Sequence, residues 1–233
     1  MANLSLNLNN ISFTYARATR PLFQDLSVHF GRGWTGIVGA NGVGKSTLLR
    51  LATGEVKPQL GHIVVPDSAI YCPQRTDDVP DHLNELKHAN DRHAFKIKGQ
   101  LGVVDDWIER WATLSHGERK RAQIAVALWQ SPRVLAVDEP TNHLDTPAQD
   151  LLYAALSAFQ GVGLLVSHDR RFLDGLCQQC LFVDPPETVL RPGNYSHGLQ
   201  QAEQDAATAV KKRKQAQQAF SRLKQTAVKR RQK

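Results

Sequence analysis

One segment of the chain has the residue types and spacing of a phosphate-binding loop. Gly39–Ser46 (GANGVGKS) fits the pattern G-x-x-x-x-G-K-[ST], and the apolar stretch Trp34–Gly39 leads into it. Its glycines allow backbone N–H groups to turn toward phosphate oxygens, and a following helix would direct its positive end at the same anion. Lys45 would then reach the β- and γ-phosphates, and the Ser46 hydroxyl would ligate Mg²⁺. The alternative interpretation is a glycine-rich turn between a strand and a helix.

A second segment ends an apolar stretch with two adjacent carboxylates. Val134–Val137 is typical of a buried strand, and Asp138 and Glu139 follow it directly. At the edge of a sheet, Asp138 would hold the hydration shell of a metal ion, and Glu139 would polarise an attacking water molecule. Alone, this pair is equally typical of a solvated strand end. The phosphate-binding pattern elsewhere in the chain favours the catalytic interpretation.

The strongest helical pattern begins with the spacing of a capping box. Ser115 and Glu118 fit S-x-x-E, and the helix is predicted from His116 to Gln130. The structural interpretation is a well-capped helix. The functional interpretation is that this helix N-terminus, with the Ser115 hydroxyl and Gly117, receives a second phosphate group. Both interpretations are compatible with the same residues.

These segments are embedded in alternating strand and helix patterns. Period-two alternation predicts two strands within residues 4–30. Further elements are a helix over 45–53 that ends at Gly54, strands over 62–66 and 69–72, a helix over 147–159 and a buried strand over 163–166. Trp107, Ile108 and Trp111 are spaced to share one face of a small helical insertion. The order predicts an α/β fold with a mostly parallel sheet covered on both faces.

Composition excludes several classes of protein. No part of the 233-residue chain approaches the about 20 uninterrupted apolar residues that a membrane-spanning helix needs. The N-terminus has no basic region followed by an apolar run, so we expect a cytoplasmic protein. Three cysteines are too few for a disulfide framework. The pair Cys177 and Cys180 has no second ligand pair nearby, and we interpret it as core packing rather than as a zinc or redox site.

The positive charge is concentrated near the C-terminus. From Leu199 onward there are ten basic and two acidic residues, whereas the rest of the chain has 19 basic and 20 acidic residues. Clusters such as Lys211–Lys214 and Lys229–Arg231 suit a phosphate backbone, although a solvated helix surface is the alternative. Spacings of mostly three and four residues predict a helix with one apolar stripe, made of Leu199, Ala202, Ala206, Val210, Phe220, Leu223 and Ala227.

The order of the motifs resembles that of the ATP-binding cassette (ABC) ATPases. The phosphate loop is followed by Gln74, by the Leu-Ser-x-Gly-Glu signature at 114–118, by the strand that ends in Asp138 and Glu139, and by His168. The resemblance covers residues 4–198. It implies a P-loop cassette over 1–198, with an antiparallel β subdomain and a helical subdomain at about 75–130, followed by a basic helical linker over 199–233.

The same resemblance implies roles for individual side chains. Tyr15 would stack on adenine, with core packing as the alternative. Gln74 would sense Mg²⁺ and the γ-phosphate, and His168 would contact that phosphate. In this family each ATP lies between the phosphate loop of one cassette and the signature of another. Ser115 and its neighbours would therefore serve the nucleotide of a partner cassette.

The complete set of expected site residues follows from the motifs and the resemblance together. The catalytic residues would be Lys45, Glu139 and His168, and the Mg²⁺ ligands would be Ser46, Gln74 and Asp138. The ATP contacts would also include Tyr15, Gly39, Asn41, Gly42, Gly44, Lys45, Ser46, Thr47, Gln74, Ser115, Gly117, Glu118 and Asp145, the last of these at the interface between cassettes.

Three segments resemble the ABC-F subfamily of soluble twin-cassette ATPases, many of which act on the ribosome: Asn142–Asp145, Ser167–Asp174 and Gly193–Ser196. The resemblance implies a role in translation or in antibiotic resistance by ribosome protection, with ribosomal RNA bound by the basic segment. The chain contains one cassette, so we expect the N-terminal half of a longer protein rather than a half-size homodimer. His116 replaces the usual signature glycine and would crowd the site.

Three other functions remain open. The first is the nucleotide-binding subunit of a membrane transporter, which Asn142–Asp145, Ser167–Asp174 and the basic segment disfavour. The second is a DNA-associated ATPase of the repair type, which would prefer DNA to ribosomes. The third is a degenerate module without hydrolysis, which the intact Lys45, Glu139 and His168 disfavour.

Overall fold

The computed structural model describes residues 4–185 and 187–231, with side chains of the last helix described as far as 214 and at 217. Two compact units are present, Met1–Tyr195 and Ser196–Lys233. In chain order the elements are β1 (Leu6–Phe13), β2 (Phe23–Phe30), β3 (Gly33–Val38), α1 (Lys45–Ala52), β4 (Leu60–Val64), β5 (Ala69–Cys72), α2 (Leu83–His88), α3 (Arg92–Leu101), α4 (His116–Trp129), β6 (Val134–Asp138), α5 (Thr146–Ser157), β7 (Val162–Val166), α6 (Arg170–Leu176), β8 (Cys177–Asp184), β9 (Glu187–Pro192) and α7 (Tyr195–Arg231).

A six-stranded sheet in the order β5-β6-β7-β3-β8-β9 forms the centre of the first unit. Its strands are parallel except for β9, which pairs antiparallel with β8. Every residue of β6 and β7 is buried. Alternate residues enter two different apolar clusters, so that Leu135 and Val137 face one and Val134 and Ala136 face the other. The predicted mostly parallel α/β sheet covered on both faces is confirmed.

A separate antiparallel sheet in the order β2-β1-β4 covers part of one face. In β1 the buried side chains Leu6, Leu8, Ile11 and Phe13 join the apolar cluster that contains the buried face of α1. The pairing shifts register between Leu8 and Ile11, where Asn10 has a φ of 51°. This irregularity keeps the apolar side chains on the inner face on both sides of the shift.

The segment between β5 and β6 contains α2, α3, two 3₁₀ turns and α4. The prediction that Trp107 and Trp111 share one helical face is wrong, because they belong to the separate turns Asp105–Trp107 and Trp111–Thr113. The helix before them ends at Gly102, which has a φ of 58°. Both indoles are buried, and Nε1 of Trp111 donates to the Asp77 carbonyl at 2.9 Å.

The second unit is made by α7, whose exposed side chains include those of Lys211–Lys214. Val210 from the expected apolar stripe is 56% exposed. The stripe residues Phe220, Leu223 and Ala227 lie outside the described side chains. Among the described helices, none combines the length and the apolar character that a bilayer crossing requires.

Candidate nucleotide-binding site

The phosphate-binding pattern forms the loop between β3 and α1. Gly44 caps the N-terminus of α1 in the left-handed region, with a φ of 103°, and Gly42 has a φ of 82°. A Cβ at position 44 would also lie 2.8 Å from Cδ2 of Leu22. The left-handed backbone conformation therefore favours glycine at position 44, and a Cβ there would also displace the end of the Leu22 side chain. The free N–H groups at the start of α1 face the loop and can bind an anion.

The Lys45 side chain holds this loop closed. Its Nζ donates to the carbonyl oxygens of Gly39 at 2.9 Å and Ala40 at 3.0 Å, and the residue is only 9% exposed. A lysine ammonium carries three N–H donors, so one donor remains for a phosphate oxygen. A Cβ at Gly39 would lie 2.3 Å from the carbonyl oxygen of Val183 in the neighbouring strand β8. Gly39 therefore allows the loop to start close against that strand.

Tyr15 lies beside the loop rather than in the core. Its hydroxyl is 2.7 Å from the Thr47 hydroxyl, and its ring packs edge-on against Phe13 with centroids 5.0 Å apart. The residue remains 45% exposed. One end of the ring is therefore fixed to α1, while an open face is left that can stack on a planar ligand.

The strand β6 ends in the two carboxylates. Asp138 is 2% exposed, and its Oδ2 accepts a 2.9 Å hydrogen bond from the Tyr71 hydroxyl. Burial and the neighbouring Asp138 carboxylate raise the pKa of Tyr71, so this phenol stays a donor. Our sequence reasoning missed Tyr71, because the contact joins two strands that are far apart in the chain.

Glu139 is held in an unusual backbone conformation next to His168. Its φ is 44°, its backbone N–H donates to the Val166 carbonyl at 2.8 Å, and its side chain is 7% exposed. The backbone N–H of His168 donates to Oε2 at 3.3 Å, and Nε2 of His168 lies 3.3 Å from Oε1. Among the described residues, no donor reaches Oε1 with hydrogen-bonding geometry.

This environment suits a group that accepts a proton. Burial raises the pKa of the Glu139 carboxyl and the Asp138 carboxylate adds to the rise, whereas the hydrogen bond from the His168 N–H and the charge of Lys45 oppose it. A buried carboxylate oxygen without a donor is rare in folded proteins and needs an explanation. A water molecule in the adjoining cavity would satisfy it and would be polarised by it.

The loop and the carboxylates line one cavity of about 440 Å³. It lies at the carboxyl ends of β3, β5, β6 and β7, which is where open α/β sheets bind ligands. The expected site residues among its lining are Asn41, Gly42, Gly44, Lys45, Ser46, Thr47, Gln74, Asp138, Glu139 and His168. Asn142 and Val166 also line the cavity and were not predicted as site residues.

The oxygen donors at this cavity fit Mg²⁺. Ser46 offers a hydroxyl, Gln74 an amide oxygen and Asp138 a carboxylate, and Mg²⁺ prefers such hard oxygen ligands. Among the described residues there is no cluster of three or more histidine, cysteine or acidic side chains of the kind that binds a metal without help. Mg²⁺ usually keeps several waters and shares substrate phosphates, so few protein ligands suffice.

The signature residues lie outside this cavity. Ser115 and Glu118 form the predicted capping box at the start of α4, with Ser115 N–H donating to Oε2 at 2.8 Å and Glu118 N–H donating to Oγ at 3.2 Å. The bonds that the Ser115 N–H and the Ser115 hydroxyl donate to Oε2 lower the pKa of Glu118. Asp145 caps α5 in a similar way, accepting from the N–H of Ala148 at 2.9 Å.

The signature and the loop at 142–145 form one surface. A Cβ at Gly117 would lie 3.0 Å from Cδ2 of Leu144, and the rings of His116 and His143 are 5.6 Å apart. Both histidines are exposed. The structure therefore brings the signature and Asp145 to a common region, but it does not bring Ser115, Gly117, Glu118 or Asp145 to the cavity.

A buried lysine, which the motifs did not indicate, connects the signature helix to the Gln74 loop. Lys120 is 3% exposed, and its Nζ donates to the Pro73 carbonyl at 2.6 Å and to Oε1 of Gln123 at 2.9 Å. Pro73 immediately precedes Gln74, so α4 and the cavity lining are joined by one side chain. The only signal in the sequence is that Lys120 lies one helical turn before the buried Ile124.

The burial of Lys120 predicts a measurable pH dependence of stability. Burial lowers its pKa from 10.5 to about 8, so the unfolded chain binds more protons between these values and stability rises with pH. We expect the free energy of unfolding of the wild type, relative to Lys120→Met, to rise by about 3 kcal/mol across this window. Urea denaturation at a series of pH values measures it. Lys57→Met, at an exposed lysine, is the control, and a flat difference for Lys120→Met would contradict the assignment.

The family model and several of the relatives that this chain matches are described as ABC transporter or ATP-binding proteins, which agrees with a nucleotide-binding site. The family model described as "ABC transporter" matches residues 23–142, which is 120 of the 233 residues. The chain is 33% identical to the probable ATP-binding protein YbiT of Escherichia coli O157:H7 over 192 residues, covering 77% of this chain and 36% of that protein. It is 35% identical to ABC transporter ATP-binding protein ARB1 of Saccharomyces cerevisiae over 203 residues, covering 80% and 33%.

A third relative is the energy-dependent translational throttle protein EttA of Escherichia coli (strain K12), 30% identical over 244 residues, covering 81% of this chain and 43% of that protein. The chain thus spans between 33% and 43% of the length of these three relatives. The segment matched by the family model contains the phosphate loop, Gln74, the signature and both carboxylates. The chain therefore belongs to the ATP-binding cassette family of ATPases.

Proposed function

We propose that this chain is a cassette of a soluble ABC-F type protein, which closes against a second cassette with MgATP between them and acts on the ribosome. One observation carries the proposal. The phosphate-loop cavity and the surface that contains Ser115, Gly117 and Asp145 are both formed, yet none of these three residues lines the cavity of its own chain. A complete site then needs the cavity of one cassette and the signature surface of another.

The cavity binds the triphosphate through the loop. Backbone N–H groups at the start of α1 and the remaining Nζ donor of Lys45 bind phosphate oxygens. Ser46, Gln74 and Asp138 would hold Mg²⁺, which would supply positive charge to offset that of the phosphates. The exposed ring of Tyr15 covers the base.

Hydrolysis uses the Glu139 carboxylate, whose Oε1 accepts no hydrogen bond from the described residues. This carboxylate accepts hydrogen bonding from the attacking water and takes its proton as the water bonds to the γ-phosphorus and the bond to ADP breaks. His168, next to Glu139 and 62% exposed at its side chain, orients that carboxylate and donates to a γ-phosphate oxygen. The signature of the second cassette supplies the Ser115 hydroxyl and the helix N-terminus to the same phosphate.

The ribosomal role is supported by the relatives and by the charge of α7. EttA is described as a translational throttle protein, and another relative is ABC transporter F family member 5 of Arabidopsis thaliana, 31% identical over 208 residues, covering 84% of this chain and 30% of that protein. Lys211–Lys214 are four consecutive exposed basic residues. Such a run binds an RNA backbone through phosphates rather than through base edges. Control of translation and ribosome protection against antibiotics are both compatible with this contact.

Glu139→Gln tests the hydrolytic assignment. The amide keeps the size of the side chain but cannot accept the proton, so we expect turnover to fall by about 10²–10⁴-fold while MgATP binding is retained. We also expect MgATP to hold the variant as a closed dimer. Phosphate release, calorimetry and light scattering measure these three properties. Glu55→Gln, at an exposed residue outside the cavity, is the control, and wild-type turnover in Glu139→Gln would falsify the assignment.

Reversing the charge of α7 tests the contact with the ribosome. Replacing all four residues of Lys211–Lys214 by glutamate should reduce the fraction of protein molecules that sediment with ribosomes. The binding that remains should fall further as the KCl concentration is raised. Arginine at the three lysines of this run keeps the charge and should preserve sedimentation. Binding that survives both the glutamates and high salt would rule out this segment as the contact.

A further inference from the structure

The amino ends of the parallel strands border a second cavity, at the edge of the sheet opposite to the phosphate loop. Arg32 directly precedes β3 and Arg133 directly precedes β6. Because these strands are parallel, both arginines lie at the same sheet edge. They line a cavity of about 550 Å³ together with His93 and Lys96, which α3 brings to the same place.

The charged side chains that line this cavity, Arg32, Lys96 and Arg133, are all basic. In the part of the chain that the structure describes, no acidic side chain lines it. None of the ion pairs between described residues involves Arg32, Lys96 or Arg133. Residues before Leu199 carry 19 basic and 20 acidic side chains, so this concentration does not reflect an overall excess of positive charge.

Hydrogen bonds hold the Arg32 guanidinium, the Arg133 backbone and the His93 ring. Nε of Arg32 donates to the Gln160 carbonyl at 2.7 Å, which leaves the two terminal nitrogens of the guanidinium for another acceptor. The backbone N–H of Arg133 is 3.0 Å from the Ser68 carbonyl and 3.1 Å from the Ser68 hydroxyl. Nε2 of His93 lies 3.3 Å from the Ser131 hydroxyl.

We propose that this cavity binds a phosphate group of an RNA backbone, as a contact additional to that of Lys211–Lys214. The inference rests on the proposed function, which supplies RNA as the partner. Guanidinium groups bind phosphate through two donors and lysine binds it as a point charge. Arg32, Lys96 and Arg133 are all exposed. Exposed charges bind a small anion weakly, whereas a polymer offers neighbouring phosphates and gains from counterion release.

Salt dependence measures this contact directly. The full chain and its Lys96→Gln and Arg133→Gln variants are titrated with a short fluorescein-labelled RNA duplex at several KCl concentrations. Each lost phosphate contact should make the slope of log affinity against log salt less steep by about 0.7–0.9. Lys57→Gln removes the same charge at an exposed lysine outside the cavity and should leave the slope unchanged. All variants should keep MgATP binding, since the cavity lies at the opposite sheet edge.

The outcomes separate this inference from the proposed function. If neutralising Lys211–Lys214 reduces the slope but Lys96→Gln and Arg133→Gln do not, the cavity contact is refuted and the proposed function stands. If the wild type does not bind the duplex at any salt concentration but still sediments with ribosomes, the cavity contact is refuted and the proposed function stands; if it does neither, both are refuted. Tighter binding of a matched DNA duplex, or release of the RNA by inorganic phosphate at constant ionic strength, would refute the assignment to an RNA backbone.

Discussion

The parallel register of β3 with β7 and β8 is the constraint on which the rest of the structure depends. It sends the chain from Val38 into the phosphate loop at the same sheet edge where β6 delivers Asp138 and Glu139. It also places Arg32 and Arg133 together at the opposite edge. Buried strands such as β6 tolerate this arrangement because α1 and the antiparallel sheet cover one face and α4, α5 and α6 cover the other.

Two side chains near the phosphate-loop cavity form hydrogen bonds between elements that are far apart in the sequence. Tyr71 of β5 donates to Asp138 of β6, and Lys120 of α4 donates to the carbonyl that precedes Gln74. The second of these bonds links α4 to the segment that contains Gln74. In the proposed function, α4 carries the signature to a partner cassette, so Lys120 would connect the partner's nucleotide to the chain's own cavity.

Features that depend on neighbouring residues could be predicted from the sequence, and features that depend on distant residues could not. The capping box at Ser115 and the strand–loop–helix setting of Lys45 follow from local spacing, and both are present. The contact of Lys120 with Pro73 joins residues 47 positions apart, and no local pattern indicates it. The two separate turns at Trp107 and Trp111 were missed because a four-residue spacing fits two successive turns as well as one helix.

The central claim is that the cavity of one chain becomes reactive only with the signature surface of another cassette, and subunit complementation measures this directly. Lys45→Met and Ser115→Arg variants should each be inactive alone. A mixture should recover ATP turnover, because one of the two shared sites then contains an intact Lys45 and an intact Ser115. Turnover of the wild type per molecule should also rise with its concentration. A Ser115→Arg chain that hydrolyses ATP at the wild-type rate by itself would contradict the account.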